Sequence, residues 1–69
     1  MSAAEEVMIV QYCTEPKRFR IVGCMGGVID RSGALQLDAM NAKSFEGDDG
    51  YEEAVKYIAK SSNLLLRED

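Results

Sequence analysis

The sequence predicts an α+β fold: a three-stranded antiparallel sheet followed by one amphipathic helix on one of its faces, in the order β-β-β-α. Three observations carry this. Two β-rich apolar runs flank a proline turn, an Asp-Arg-Ser-Gly turn introduces a third, alternating run, and the last third of the chain repeats its apolar residues at helical spacing.

Residues 1–5 have no periodicity and read as a frayed lead-in. The first strand, residues 6–14, holds the run Val7, Met8, Ile9, Val10. Glu15, Pro16, Lys17 and Arg18 then form a turn, with proline pre-setting φ where no ladder hydrogen bond is required, so a hairpin follows. The second strand is placed at residues 19–29 and is interrupted by Gly23, Gly26 and Gly27. Asp30 and Gly33 occupy the first and fourth places of a type I turn. Residues 34–42 contain good helix formers, but Leu35, Gln36, Leu37, Asp38 and Ala39 alternate strictly, which favours a third strand. Residues 50–62 form the helix. Asp49 and Glu52 are spaced as a capping box, Tyr51, Ala54, Val55 and Ile58 make the buried stripe, and Glu52, Glu53, Lys56 and Lys60 face water. Ser61, Ser62 and Asn63 offer a stop, after which residues 64–66 return to the core, with room for a short final strand.

Register decides which side chains meet water, because a slip of one residue inverts both faces. A four-residue turn sets Thr14 opposite Phe19, Tyr12 opposite Ile21, Val10 opposite Gly23 and Met8 opposite Met25. In the second hairpin, a three-residue loop with Gly33 in a left-handed bulge sets Asp30 opposite Ala34 and Met25 opposite Ala39, keeping charge out of the core. The inner face then comprises Met8, Val10, Tyr12, Phe19, Ile21, Met25, Ile29, Leu35, Leu37 and Ala39, with Gly23 and Gly27 admitting the helix closely. The outer face carries Ile9, Cys24 and Met40 in one row beside Val22. One helix covers one side only, so this half-apolar reverse is a candidate interface; the alternative is the ordinary scatter of exposed apolar residues.

A chain of 69 residues makes one domain, 1–69, and buries only about 60% of the surface its unfolded form exposes. Twelve acidic and eight basic side chains leave a net charge of −4. No aliphatic run approaches the ~20 residues of a membrane span, and Glu5 and Glu6 stand where a signal peptide carries positive charge, so the expected compartment is the cytoplasm, with no membrane partner. Histidine is absent, which removes the commonest general base and metal ligand. Cys13 and Cys24 lie about 13 Å apart in the expected register at ~3.3 Å per residue, too far for a disulfide, and read as free thiols. The glycines at 23, 26 and 27 lack the spacing, lysine and following helix of a phosphate loop. No enzyme activity, metal or cofactor is expected.

The most unusual stretch is 46–53, where Glu46, Asp48, Asp49, Glu52 and Glu53 bring five carboxylates and no base. Acids suit a helix N-terminus, which is one reason for them; an acidic recognition surface that meets a basic patch is the other. The spacing is not that of a calcium-binding helix-loop-helix. Lys17, Arg18 and Arg20 form a small basic tip expected at the opposite corner. Direct nucleic-acid binding is disfavoured by the acidic balance and by the inward placement of Tyr12 and Phe19.

Three strands followed by a helix resemble the second half of a double-stranded RNA-binding domain, with Asp48, Asp49, Glu52 and Glu53 in place of that family's basic helix start. Gly50, Glu52, Glu53 and Ala54 are similar to the helix start of HicB-type antitoxins. In size, acidity and lack of catalytic groups the chain resembles small phage-encoded inhibitors of bacterial defence such as anti-CRISPR proteins. The apolar sheet face and the acidic stretch lead to the expectation of a non-catalytic binding protein, self-associated or partner-bound through Ile9, Val22, Cys24 and Met40 and presenting the acids of 46–53 to a basic target. Its first form is an inhibitor that blocks a basic or nucleic-acid-binding site on a protein partner, in the host cytoplasm if phage-encoded. Its alternative is an antitoxin-like or small regulatory subunit acting as a homodimer.

Overall fold

The computed structural model describes residues 4–67. They form β1 (Glu5–Thr14), β2 (Lys17–Gly23), β3 (Val28–Ile29), β4 (Leu35–Gln36), a 3-10 turn (Ala39–Asn41), β5 (Phe45–Glu46), α1 (Gly50–Lys60) and β6 (Leu64–Leu66). The class is α+β as expected, but the sheet has six strands, not three, and is mixed. Its order is β4-β3-β2-β1-β6, with β5 also on β2. β6 runs parallel to β1 and every other pairing is antiparallel. Of the expected frayed segment, Glu5 is already in β1, and residues 1–3 lie outside the described residues.

The first hairpin corrects the expected register. Its turn is the two residues Glu15 and Pro16, joined by a cis peptide bond, and Thr14 faces Lys17. Moving the partner of Thr14 from 19 to 17 leaves the faces unchanged, because both positions have the same parity. A β-bulge between Gln11 and Cys13 then inserts one unpaired residue and inverts everything before it. Gln11 pairs with Phe19, Ile9 with Ile21 and Val7 with Gly23. Val7 is therefore wholly buried and Ile9 packs against the core, whereas Val10 and Tyr12, expected inside, are exposed.

The expected second strand, 19–29, is itself a hairpin. Gly26 and Gly27 have φ of +113° and +88°, a backbone that L side chains rarely adopt, and they let the chain reverse between Gly23 and Val28. Hydrogen bonds from Gly23 N to Gly27 O (3.0 Å) and from Gly26 N to Gly23 O (3.0 Å) close this turn, and Val22 then faces Val28. Met25 sits at its tip almost fully exposed. Gly23 and Gly27 do admit a close neighbour, but it is Leu35 of β4 and not the helix.

The second turn forms with the expected bulge. Gly33 has φ of +90°, Asp30 N donates to Ala34 O (2.9 Å), and Ile29 faces Leu35. The strand expected over 34–42 stops at Gln36, however. The Asp38 carboxylate accepts the Met40 amide (2.9 Å), a local bond that competes with ladder pairing and starts the 3-10 turn. Leu37 and Met40 are consequently exposed, and Ala39 lies in that turn rather than on an inner strand face. The chain returns through an Asp30–Ala42 bridge and a Lys43 N to Ile29 O bond (2.9 Å) before β5 lies along β2, with Phe45 opposite Phe19 and Glu46 opposite Arg18.

The helix ends at Lys60, two residues earlier than expected, where the Ser61 hydroxyl donates to Tyr57 O (2.8 Å) and Ser61 N donates to Ile58 O (3.0 Å). It buries Gly50, Ala54 and Ile58 against Val7, Phe19, Ile21, Ile29, Phe45 and Leu64. Tyr51 stays half-exposed and meets Phe19 edge-on at 6.0 Å between ring centroids. No helix among the described residues is long and apolar enough to cross a membrane.

Asp30 is the one buried charged residue of the described chain. One of its carboxylate oxygens accepts the Ser32 hydroxyl (2.6 Å), the Ser32 amide (2.9 Å) and the Ala34 amide (3.0 Å), which locks the β3–β4 turn. The Ser32 hydroxyl bond and the Ala34 amide bond, outweighing burial, hold its pKa below the ordinary carboxylate value. Because the folded value is the lower one, the stability this group contributes is present above the unfolded pKa of about 3.8 and is lost as pH falls through the folded value. Asp30→Asn is thus expected to be less stable than wild type at neutral pH, with the gap closing in acid. Urea midpoints of both proteins between pH 7 and 2 check this, and a gap independent of pH would contradict it.

Candidate functional site

The acidic stretch is built by a change of element every few residues. Glu46 ends β5, Gly47 with φ of +91° turns the chain, Asp48 and Asp49 form the connecting turn, and Glu52 and Glu53 sit in the first turn of α1. All five acidic residues are exposed. The expected capping box is absent: the Asp49 side chain makes no cap bond, and Asp49 serves the helix through its backbone oxygen, which accepts Glu53 N at 2.8 Å. Glu52 and Glu53 keep the favourable position near the positive end of the helix dipole.

The basic tip is not at the opposite corner. Pairing of β5 with β2 brings it alongside the acids, with Gly47 N donating to Lys17 O (2.9 Å), Lys17 Nζ 3.5 Å from Asp48 and Arg18 Nε 3.9 Å from Glu46. Both ion pairs are solvent-exposed, a setting in which such pairs contribute about 0–1 kcal/mol. Among the described residues, Asp49, Glu52 and Glu53 have no ion-pair partner within 4 Å.

The second expected site, the row Ile9, Cys24 and Met40 beside Val22, does not assemble. Ile9 packs on the core, Met40 belongs to the 3-10 turn, Cys24 lies in the β2–β3 turn just past the end of β2, and only Val22 remains on the outer side of the sheet by alternation. The bulge supplies a different set. Met8 and Val10 face outward with Val22 and Arg20, and both Tyr12 and Cys13 point to this same side, as the two residues of a bulge do. The Arg20 guanidinium carbon lies 3.8 Å from the centre of the Tyr12 ring, and the Tyr12 and Ser44 hydroxyls share a hydrogen bond of 2.6 Å. An aromatic–arginine stack on the open face was invisible to the sequence because nothing in residues 11–13 marks a bulge. Cys13 and Cys24 are both free thiols.

The class of protein defined by these features is a small α+β domain with one helix on a mixed sheet and a carboxylate-rich helix entry. Comparison of the chain with protein-family models, with curated proteins and with solved structures found no match.

Proposed function

We propose that this chain is a non-catalytic acidic binding protein that sets the carboxylates of 46–53 against a basic surface of a protein partner in the cytoplasm, most specifically as an inhibitor occupying a site that otherwise takes nucleic-acid phosphates. The observation that carries the reading is that the fold pairs Glu46 and Asp48 only with exposed cations and leaves the other three carboxylates unpaired among the described residues. Asp49 makes no side-chain cap, and Asp49, Glu52 and Glu53 stand exposed without a cation within 4 Å among the described residues. Adjacent carboxylates held on one helical turn raise the local field and the rate of encounter with a basic target. The anti-CRISPR-like class is the version that joins small size, acidity and a phosphate-mimicking surface.

Reversing Asp48, Asp49, Glu52 and Glu53 to lysine is expected to weaken capture of the partner about tenfold or more, with the circular dichroism spectrum retained. Pull-down from host lysate with wild type and variant side by side reads this out. Equal capture by a folded variant would overturn the proposal.

The homodimeric alternative, an antitoxin-like or regulatory subunit, draws on the reverse face, where Val10 and Tyr12 are each more than a third exposed beside Met8 and Val22. Sedimentation equilibrium is its test. A strict monomer at high micromolar concentration removes it.

A further inference from the structure

On the flank where α1 meets β5, Lys43, Lys56 and Lys60 line one hollow of about 350 Å³ together with Phe45, Tyr57, Glu46 and Glu53. Three ammonium groups against two carboxylates make this a locally cationic concavity on a chain whose net charge is −4. None of the three lysines has a carboxylate within 4 Å among the described residues. Lys43 is placed instead by aromatic rings, its Nζ 5.4 Å from the centre of Phe45 and 5.3 Å from that of Tyr57, within cation–π range. Those rings brace each other edge-on at 5.7 Å. Lys56 and Lys60 are one helical turn apart, so their side chains reach the hollow from the same wall.

We propose that this hollow binds a small aromatic phosphate ester, its phosphoryl group among the three ammoniums and its ring against Tyr57. Lysines act as point charges without the planar fork of arginine, so three of them, two from α1 and one from the segment before β5, suit a tetrahedral dianion better than a planar carboxylate. The volume lies in the range of small-molecule pockets. Glu46 and Glu53, which also line the hollow, oppose the anion and set a modest affinity. The site borders the acidic docking surface proposed above and shares Glu46 and Glu53 with it, but its three lysines are not part of that surface, so lysine substitutions leave all five acids in place.

The test is an NMR titration of the amide spectrum with phenyl phosphate at constant ionic strength, with inorganic phosphate and phenol as separate arms. Saturable shifts confined to residues 43–46 and 53–60, strongest for phenyl phosphate and weaker for inorganic phosphate, support the site. The double variant Lys56→Gln/Lys60→Gln, at two exposed positions, is expected to weaken phenyl phosphate about tenfold, and Glu53→Gln to strengthen it. Shifts that grow linearly and spread over the surface, a phenol response equal to that of phenyl phosphate, or undiminished binding by the folded double variant would each overturn the proposal.

Discussion

Ile21→Ala is expected to lower stability by about 2–5 kcal/mol, the cost of removing a large buried aliphatic side chain and leaving part of its volume empty. Ile21 is wholly inaccessible to solvent, opposite Ile9 and beneath the helix residues Ala54 and Ile58. A chain of this length has a total margin of roughly 3–10 kcal/mol, at 0.05–0.15 kcal/mol per residue, so the variant is expected to be largely unfolded near its former midpoint. Urea denaturation followed by circular dichroism measures the effect. The same experiment tests the bulge. Val7→Ala should cost more than Met8→Ala, because Val7 is fully buried and Met8 only partly so. The reverse order would mean that β1 pairs without its extra residue.

Gly50→Ala is expected to destabilise the protein, although alanine in place of glycine ordinarily favours a helix by about 1 kcal/mol. Gly50 is the first residue of α1 and is buried. A β-carbon there would lie 2.7 Å from Phe19 Cδ1, 2.8 Å from the Phe45 backbone oxygen and 3.1 Å from Phe19 Cε1. The Phe45 oxygen is backbone and cannot step aside as a flexible side chain does. Phe19 is itself fixed between Tyr51 and the strand pair formed with Phe45. Overpacking of this kind costs about 1–3 kcal/mol, more than the propensity gain at a helix end. A thermal melt decides the sign: a midpoint lower by several degrees is expected, at about 4–8 °C per kcal/mol for a domain of this size. A higher midpoint would show that helix and β5 have slack between them.

Both experiments turn on features of unequal legibility in the chain. The helix was readable because Ala54, Val55 and Ile58 repeat at its own period, and a period needs no tertiary information. The Asp30–Gly33 turn was readable because each residue type there has a local reason, a side-chain acceptor at one end and a positive φ at the other. The faces of β1 were not, since Val7, Met8, Ile9 and Val10 are all apolar and offer no alternation with which to place them. A single unpaired residue at the bulge then reassigned every side chain before it.

The candidate sites divide in the same way. That residues 46–53 are acidic and exposed follows from composition and a helix entry. That Lys17 and Arg18 stand beside them, that Tyr12 is stacked under Arg20 on the open face, and that Lys43 joins Lys56 and Lys60 around one hollow are products of long-range pairing. The sequence by itself determined the elements whose energetics are local: the helix, the Asp30–Gly33 turn, and the charge of the helix entry. Only the tertiary structure decided which strands pair and in what register, because strand pairing is settled by contacts between distant residues, and a chain with apolar residues at consecutive positions satisfies either face until the rest of the fold selects one.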